Sequence, residues 1–340
     1  MQELQEREKL ILESIICSYI CTATPVGSRV LSKHSSLGVS PATIRNVMMD
    51  LEEAGLITQP HTSAGRIPTD KGYRIYVDNL MKCEKLTPHE KKKIRKHLES
   101  LFTNVEEVLQ NTSYVLSQLS HQLSMVLYPR VEQSVVEKVD LISVSSDKIL
   151  VLLTFKAGLI KNLILSMDTV IPSSQVEETS RILNERLSGL TVQEIQESIK
   201  NRFQDVQSGN PQLLKIIIDE VPKLFAHKDE DTLYYNGATL VTNQPEFEDR
   251  KNLETIIYLL EHKEMVANIL QKRKSVEGIT ITIGDENQEE KIQSFSVITS
   301  SYHIGKYSGI IGIIGPKRMQ YAKLVPLVHY TTEVIDEIIN

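Results

Sequence analysis

Ser40-Pro41-Ala42-Thr43-Ile44-Arg45-Asn46-Val47-Met48-Met49-Asp50-Leu51 combines a helix start with an amphipathic period. The Ser40 hydroxyl can accept from an orphan first-turn amide, and Pro41 suits the first helical position, where no donor is missed. At roughly 100° per residue, Ile44, Val47, Met48 and Leu51 fall on one narrow apolar stripe. Ala42, Asn46, Met49 and Glu53 lie opposite, with Thr43 and Arg45 on the flanks. Arg can bond guanine bidentately and Asn adenine, and recognition helices enter the major groove with their N-terminal residues leading. Amphipathic helices with one Arg and one Asn outside are common, so the neighbouring segments decide the reading.

Upstream, residues 3–20 read as a helix with Leu4, Ile11, Ile15 and Ile16 apolar. Thr24-Pro25 repeats the start signal and predicts a short helix through Val26, Val30 and Leu31. Ser35-Ser36-Leu37-Gly38-Val39 then forms a tight turn, its Gly free to take φ > 0. Three short helices with a turn before the last make a helix-turn-helix arrangement. Downstream, Gly55 is a C′ residue, Leu56-Ile57-Thr58-Gln59 a strand and Arg66-Ile67 its return. The loop Pro60-His61-Thr62-Ser63-Ala64-Gly65 between them is polar and small, so the hairpin reads as a wing. Arg66 and His61 are placed to meet phosphates or a minor groove. Thr69-Asp70 caps a further helix carrying Lys71, Tyr73, Arg74 and Tyr76. From Arg29 to Arg74 there are six basic and four acidic residues, and three of the acids lie in the C-terminal half of the recognition helix.

Composition sets the frame. The 340 residues are enough for two or three domains, and 41% hydrophobic with 24% charged residues is ordinary for a soluble chain. No apolar run approaches the ~20 residues that span a bilayer. The N-terminus is acidic and polar, unlike a signal peptide. Three cysteines make no disulfide framework, and Cys17 with Cys21 lack further ligands at metal spacing, so reduced thiols and a cytoplasmic setting are expected. A net charge of −6 confines any nucleic-acid contact to a local patch.

Thr87-Pro88 opens a very basic helix, His89 to Lys96, read as a solvated linker with a second DNA-contacting strip as the alternative. Apolar residues from Val105 to Leu127 recur near heptad spacing and predict one helix packed on a sheet or a partner. Strands are expected at Val135–Val144, Ile149–Phe155 and Leu159–Leu165, then helices at Val176–Leu187 and Val192–Phe203. Residues 211–272 read as mainly helical around a short Tyr234–Ala238 piece. Strands resume at Ile279–Ile283, Gln293–Ser300 and Lys306–Ile314, followed by a helix from about Lys317. The strands before 205 and after 275 read as one antiparallel sheet with a helical insertion. Gly309 to Gly315 matches neither dinucleotide nor P-loop spacing and reads as a buried strand. Gly284-Asp285-Glu286-Asn287 lacks the spaced carboxylates of a calcium loop and reads as a turn. No H-E-x-x-H pair and no nucleophile elbow occur. No catalytic constellation, metal site or cofactor is therefore expected.

Two regions carry a family resemblance. Ser40 to Asn46 with Asp50-Leu51-Glu52, then Gln59-Pro60-His61-Thr62-Ser63-Ala64-Gly65-Arg66-Ile67-Pro68-Thr69-Asp70 and Gly72-Tyr73-Arg74, resemble the heat-inducible transcription repressor family HrcA. Gly284-Asp285-Glu286-Asn287 and Gly312-Ile313-Ile314-Gly315-Pro316-Lys317-Arg318-Met319-Gln320-Tyr321 extend it to the C-terminus. Pro41 stands where the family often has Ser, and Val47-Met48-Met49 fall in a variable segment. The resemblance implies an α+β, multidomain chain: a winged helix-turn-helix domain at 1–86, a linker helix at 87–103, and a GAF-like α/β domain at 104–205 and 275–340 interrupted by a mainly helical dimerisation domain at 206–274. It implies a homodimeric repressor of chaperone operons on the CIRCE inverted repeat, modulated by the chaperonin GroEL. The expected contacts are Ser40, Ala42, Thr43, Arg45 and Asn46 on the recognition helix, and Lys33, His61, Thr62, Ser63 and Arg66 on the wing and flanks. The rival readings are a regulator whose GAF-like domain senses a small ligand, and a module whose helix and wing engage protein.

Overall fold

The structure, a computed structural model, describes residues 4–34, 38–61, 64–99, 105–129, 134–156, 160–206, 208–225, 233–272, 278–305 and 307–339. It divides into two compact units, one of residues 1–126, 234–301 and 310–338, the other of 127–233, 302–309 and 339–340.

The first unit opens with α1 (Glu6–Thr22), α2 (Ser28–His34) and α3 (Pro41–Glu53). Ile11, Leu12, Ile15 and Ile16 of α1 are fully buried, as is Ile44 of α3, with Val47, Met48 and Leu51 close to it in exposure. The stripe read from the helical wheel is thus the packing face. A hairpin of β1 (Ile57–Thr58) and β2 (Ile67–Pro68) follows, antiparallel with Thr58 opposite Ile67. α4 (Asp70–Ile75) runs on into a π-helical turn, Tyr76–Leu80. Thr69 caps α4, accepting from the Gly72 amide at 3.1 Å. Gly72 is required there, because a Cβ would overlap the Leu56 backbone carbonyl. The helix expected to open at Thr24-Pro25 does not start until Ser28. Val26 instead exchanges backbone hydrogen bonds with Arg66, 2.8 and 2.9 Å long. Those are the groups a helix would need, so tertiary pairing overrides the local start signal.

Next come α5 (Pro88–Glu99), α6 (Val105–Ser120) and β3 (Leu123–Leu127). The single helix expected over 105–127 is corrected. His121 takes a left-handed φ of 55°, and every residue of β3 is buried. A strand buried on both faces does not alternate, so Leu123, Met125, Val126 and Leu127 fit a buried helix as well as a strand.

The second unit contains β4 (Val136–Ser145), β5 (Lys148–Phe155) and β6 (Ile160–Ser166), a three-stranded antiparallel sheet in that order. It continues through α7 (Ser173–Leu187), α8 (Val192–Arg202) and α9 (Pro211–Phe225). Val139, Val151 and Leu153 point to the buried face of the sheet. On the other face Ile142, Leu150 and Ile164 form one row across the three strands.

The chain then enters β7 (Leu233–Asn236), α10 (Ala238–Thr242), α11 (Arg250–Glu261) and α12 (Lys263–Gln271). It ends with β8 (Ile279–Ile283), β9 (Phe295–Ile304), β10 (Tyr307–Pro316) and α13 (Tyr321–Ile339). The second sheet has the order β7-β3-β10-β9-β8. One sheet from the strands before 205 and after 275 was expected, and the structure corrects this: among the described residues β4, β5 and β6 form a sheet of their own. β3 and β7 supply the remaining strands of the larger sheet. α5 packs through one face and leaves Lys91, Lys92 and Lys96 exposed. Ile94 and Leu98 are buried, Arg95 donates to the Tyr330 hydroxyl at 3.0 Å and to Glu337 at 2.6 Å, and Lys91 lies 4.9 Å over the Tyr330 ring. No helix among the described residues is long and apolar enough to cross a membrane.

Candidate nucleic-acid interface

The site is built on the outward side of α3. Ser40 stands in extended conformation before the helix, and its Oγ accepts from the Thr43 amide at 3.2 Å. The two hydroxyls lie 3.0 Å apart, which orients Thr43 along the first turn. That satisfies the Thr43 donor, Pro41 carries none, and the Ile44 amide makes the first helical bond to the Ser40 carbonyl at 3.0 Å. Ala42, Arg45 and Asn46 are exposed, Thr43 is half-buried, and Met49 is 52% exposed on the same side. Their spacing of three and four residues places Ala42, Arg45, Asn46 and Met49 on one strip. The narrow core stripe beneath them holds that strip in a fixed orientation.

Around it, Lys33 is exposed near the end of α2 and His61 at the turn of the hairpin. The hairpin is braced from inside: the Gln59 side-chain amide donates to the Ala64 carbonyl at 3.0 Å, and the Ala64 amide to the His61 carbonyl at 2.8 Å. Thr62 and Ser63 lie outside the described residues. Arg66 occupies a different setting from the other expected contacts. It is half-buried, and its Nε donates to Glu52 Oε2 at 2.9 Å, with the ion pair closing at 2.8 Å. That pair ties the base of the hairpin to the last turn of α3. Lys71, read from sequence as one of six basic residues but not as a contact, donates to the Ala54 carbonyl at 2.8 Å and caps the C-terminus of α3. Both links join residues 14 to 17 apart in sequence, so no local spacing signalled them. The acids in the second half of α3 had shown only as local charge.

A family model described as the HrcA protein C terminal domain matches residues 106–325. A heat-inducible transcription repressor HrcA from Pelotomaculum thermopropionicum is 37% identical over 339 residues, covering 99% of this chain and 97% of that protein. The chain belongs to the HrcA family. It is thus one of a family of transcription repressors, not of enzymes. HrcA from Chlorobium phaeobacteroides strain BS1 is 38% identical, with 97% of each chain covered. HrcA from Geobacter sulfurreducens is 36% identical, with 100% and 99% covered. A crystal structure of a hypothetical protein superimposes with a TM-score of 0.74 at 26% identity, covering 99% of both chains. The HrcA model match starts beyond α3 and the hairpin, whereas the curated HrcA relatives span them as well.

Proposed function

We propose that this chain is a sequence-specific DNA-binding repressor of heat-shock operons that reads the CIRCE inverted repeat as a homodimer. Residues 1–86 act as a winged helix-turn-helix domain, with α3 as the recognition helix and the β1–β2 hairpin as the wing. The observation that carries this reading is the exposed strip of Ala42, Arg45 and Asn46 at the N-terminal half of a capped, core-anchored helix. Arg45 and Asn46 supply guanine and adenine donors and acceptors, while Ala42 and Thr43 offer small contacts to a thymine methyl. Ser40, Lys33, His61, Thr62 and Ser63 serve phosphates or the minor groove. Arg66 contributes chiefly by holding the wing against α3 through Glu52.

The larger sheet with its helices is the GAF-like domain in this reading. Dimerisation, expected from sequence at 206–274, is proposed instead for the outer face of the three-stranded sheet, where Ile142, Val144, Ile160 and Ile164 are 46–58% exposed. Contiguous apolar surface of this kind is a feature of association sites. A two-fold dimer presents two recognition helices to two half-sites, as a palindromic operator requires. Modulation by the GroEL chaperonin is proposed on family resemblance alone.

The test is binding to a CIRCE duplex against a scrambled duplex of equal length at physiological salt, with and without chaperonin. The expected result is a large preference for the repeat, strengthened by chaperonin. Equal, weak binding to both duplexes under either condition would sink the reading and favour a ligand-sensing regulator.

A further inference from the structure

Two sequence segments that stand out near the C-terminus, Gly284 to Asn287 and Gly315 to Tyr321, have no place in the proposed DNA contact. In the first compact unit both meet α4, the second also meets α1, and α1 packs against α3. Lys317 Nζ lies 2.7 and 2.8 Å from the two carboxylate oxygens of Asp70, at the first position of α4. Asp70 also accepts the Asp285 backbone N–H at 3.0 Å. One turn on, Arg74 donates Nε to Glu286 at 2.7 Å, makes a second bond to the other Glu286 oxygen, and donates to the Ile281 carbonyl at 2.7 Å. Arg318 pairs with Glu246 and donates to the Ile20 carbonyl at 3.0 Å. α1 has no basic residue in its own last turn, so the cation complementing its C-terminus comes from nearly 300 residues away.

The meeting is built rather than incidental. Gly284 has a φ of 55°, and a Cβ there would overlap the Asp70 carboxylate. The buried Asn287 amide donates to the carbonyls of Gly284, Ile292 and Phe295, which pins the turn presenting Asp285 and Glu286. Between the ion pairs the rings of Tyr73 and Tyr321 lie 6.0 Å apart, and Tyr321 bonds Ser296 at 2.6 Å. Side chains of the bridging pairs are only 14–35% exposed. Bidentate, part-buried pairs fix an orientation as well as a contact.

We propose that Asp70, Arg74, Lys317 and Arg318 are positioning residues that clasp α1 and α4 to the larger sheet, so that the C-terminal segment sets how sharply operator spacing is read. The clasp holds the recognition helix as part of one rigid body, and two such bodies in a dimer gain avidity only where both half-sites are reached together. This rests on the DNA-binding reading above.

The experiment uses full-length protein carrying Lys317→Met with Glu286→Gln, and Lys317→Arg as the conservative control. Each binds three duplexes: a single half-site, the natural repeat, and the repeat with its spacer lengthened by about 5 base pairs, half a helical turn. Wild type is expected to favour natural over lengthened spacing, and the double variant to lose roughly tenfold or more of that preference while half-site affinity stays within about twofold. Lys317→Arg keeps the preference. An equal fall on half-site and repeat, or no change on any duplex, overturns the clasp. A wild type that ignores the repeat overturns the DNA reading instead, and calorimetry then decides the clasp independently. The double variant should split α1–α4 from the sheet into a separate melting transition, and a single transition matching wild type would overturn it.

Discussion

Arg45 and Arg66 carry the same charge and the same fork of donors, yet the fold gives them different surroundings. Arg45 is exposed beside Asn46, whereas Arg66 is half-buried against Glu52. Arg45→Ala is expected to cost about 1–3 kcal/mol at the operator and to relax base choice at one position. An equal loss on random duplex would reduce Arg45 to a phosphate contact. Tyr73 offers a test of another kind. It is 2% exposed, its hydroxyl finds no partner among the described residues, and burial followed by the neighbouring Tyr321 pushes its pKa well above the ordinary value. Tyr73→Phe removes a buried unsatisfied group and is expected to stabilise by up to about 1 kcal/mol in urea unfolding. The same substitution should act on pH dependence. A Tyr whose folded pKa lies above its unfolded value contributes stability that is fully present below about pH 10 and lost as pH rises beyond it. Tyr321, also raised by burial, adds to that loss. Stability of the wild type should therefore fall above about pH 10, and fall less steeply in Tyr73→Phe. Indistinguishable alkaline slopes would exclude Tyr73 as a source.

Among elements, α3 was the most legible, because cap, proline, stripe and C′ glycine all act within one helix. Ser40 caps it, Ile44 to Leu51 are buried, and Gly55 takes a φ of 71°. The Thr24-Pro25 signal pointed to a helix there, since nothing local reveals that Val26 pairs with Arg66. β3 was hidden because its fully buried run has no period of its own. The three-stranded sheet was legible strand by strand, but its isolation from the other sheet was not, since alternation reports which side chains are buried and not which strand lies beside which. Its outer row carries the element-scale prediction. Ile142→Lys with Ile164→Lys places two charges on a face where burial would leave them unpaired. Sedimentation is expected to show a dimeric wild type and a monomeric variant at the same concentration, and repeat affinity should drop to that of a half-site. A variant that stays dimeric would move the interface elsewhere.

At the scale of the molecule, a chain of net charge −6 must bind a polyanion through a local patch. Lys33→Ala is expected to weaken binding alike on operator and random DNA, and to reduce the salt slope by about 1. An unchanged slope would remove Lys33 from the phosphate contacts. The sequence by itself determined the α+β class, α1, α3, the hairpin and the family, and offered the strip of candidate base contacts, because caps, turns and periodicity act between residues a few positions apart. Only the tertiary structure decided that Arg66 braces the hairpin, that β3 and β7 join the larger sheet, and that Asp70, Arg74 and Ile20 are gripped by Glu286, Lys317 and Arg318. Those contacts join residues 14 to nearly 300 apart, and the partner of a charge or a strand edge over such distances depends on how the packed elements bring the chain back on itself.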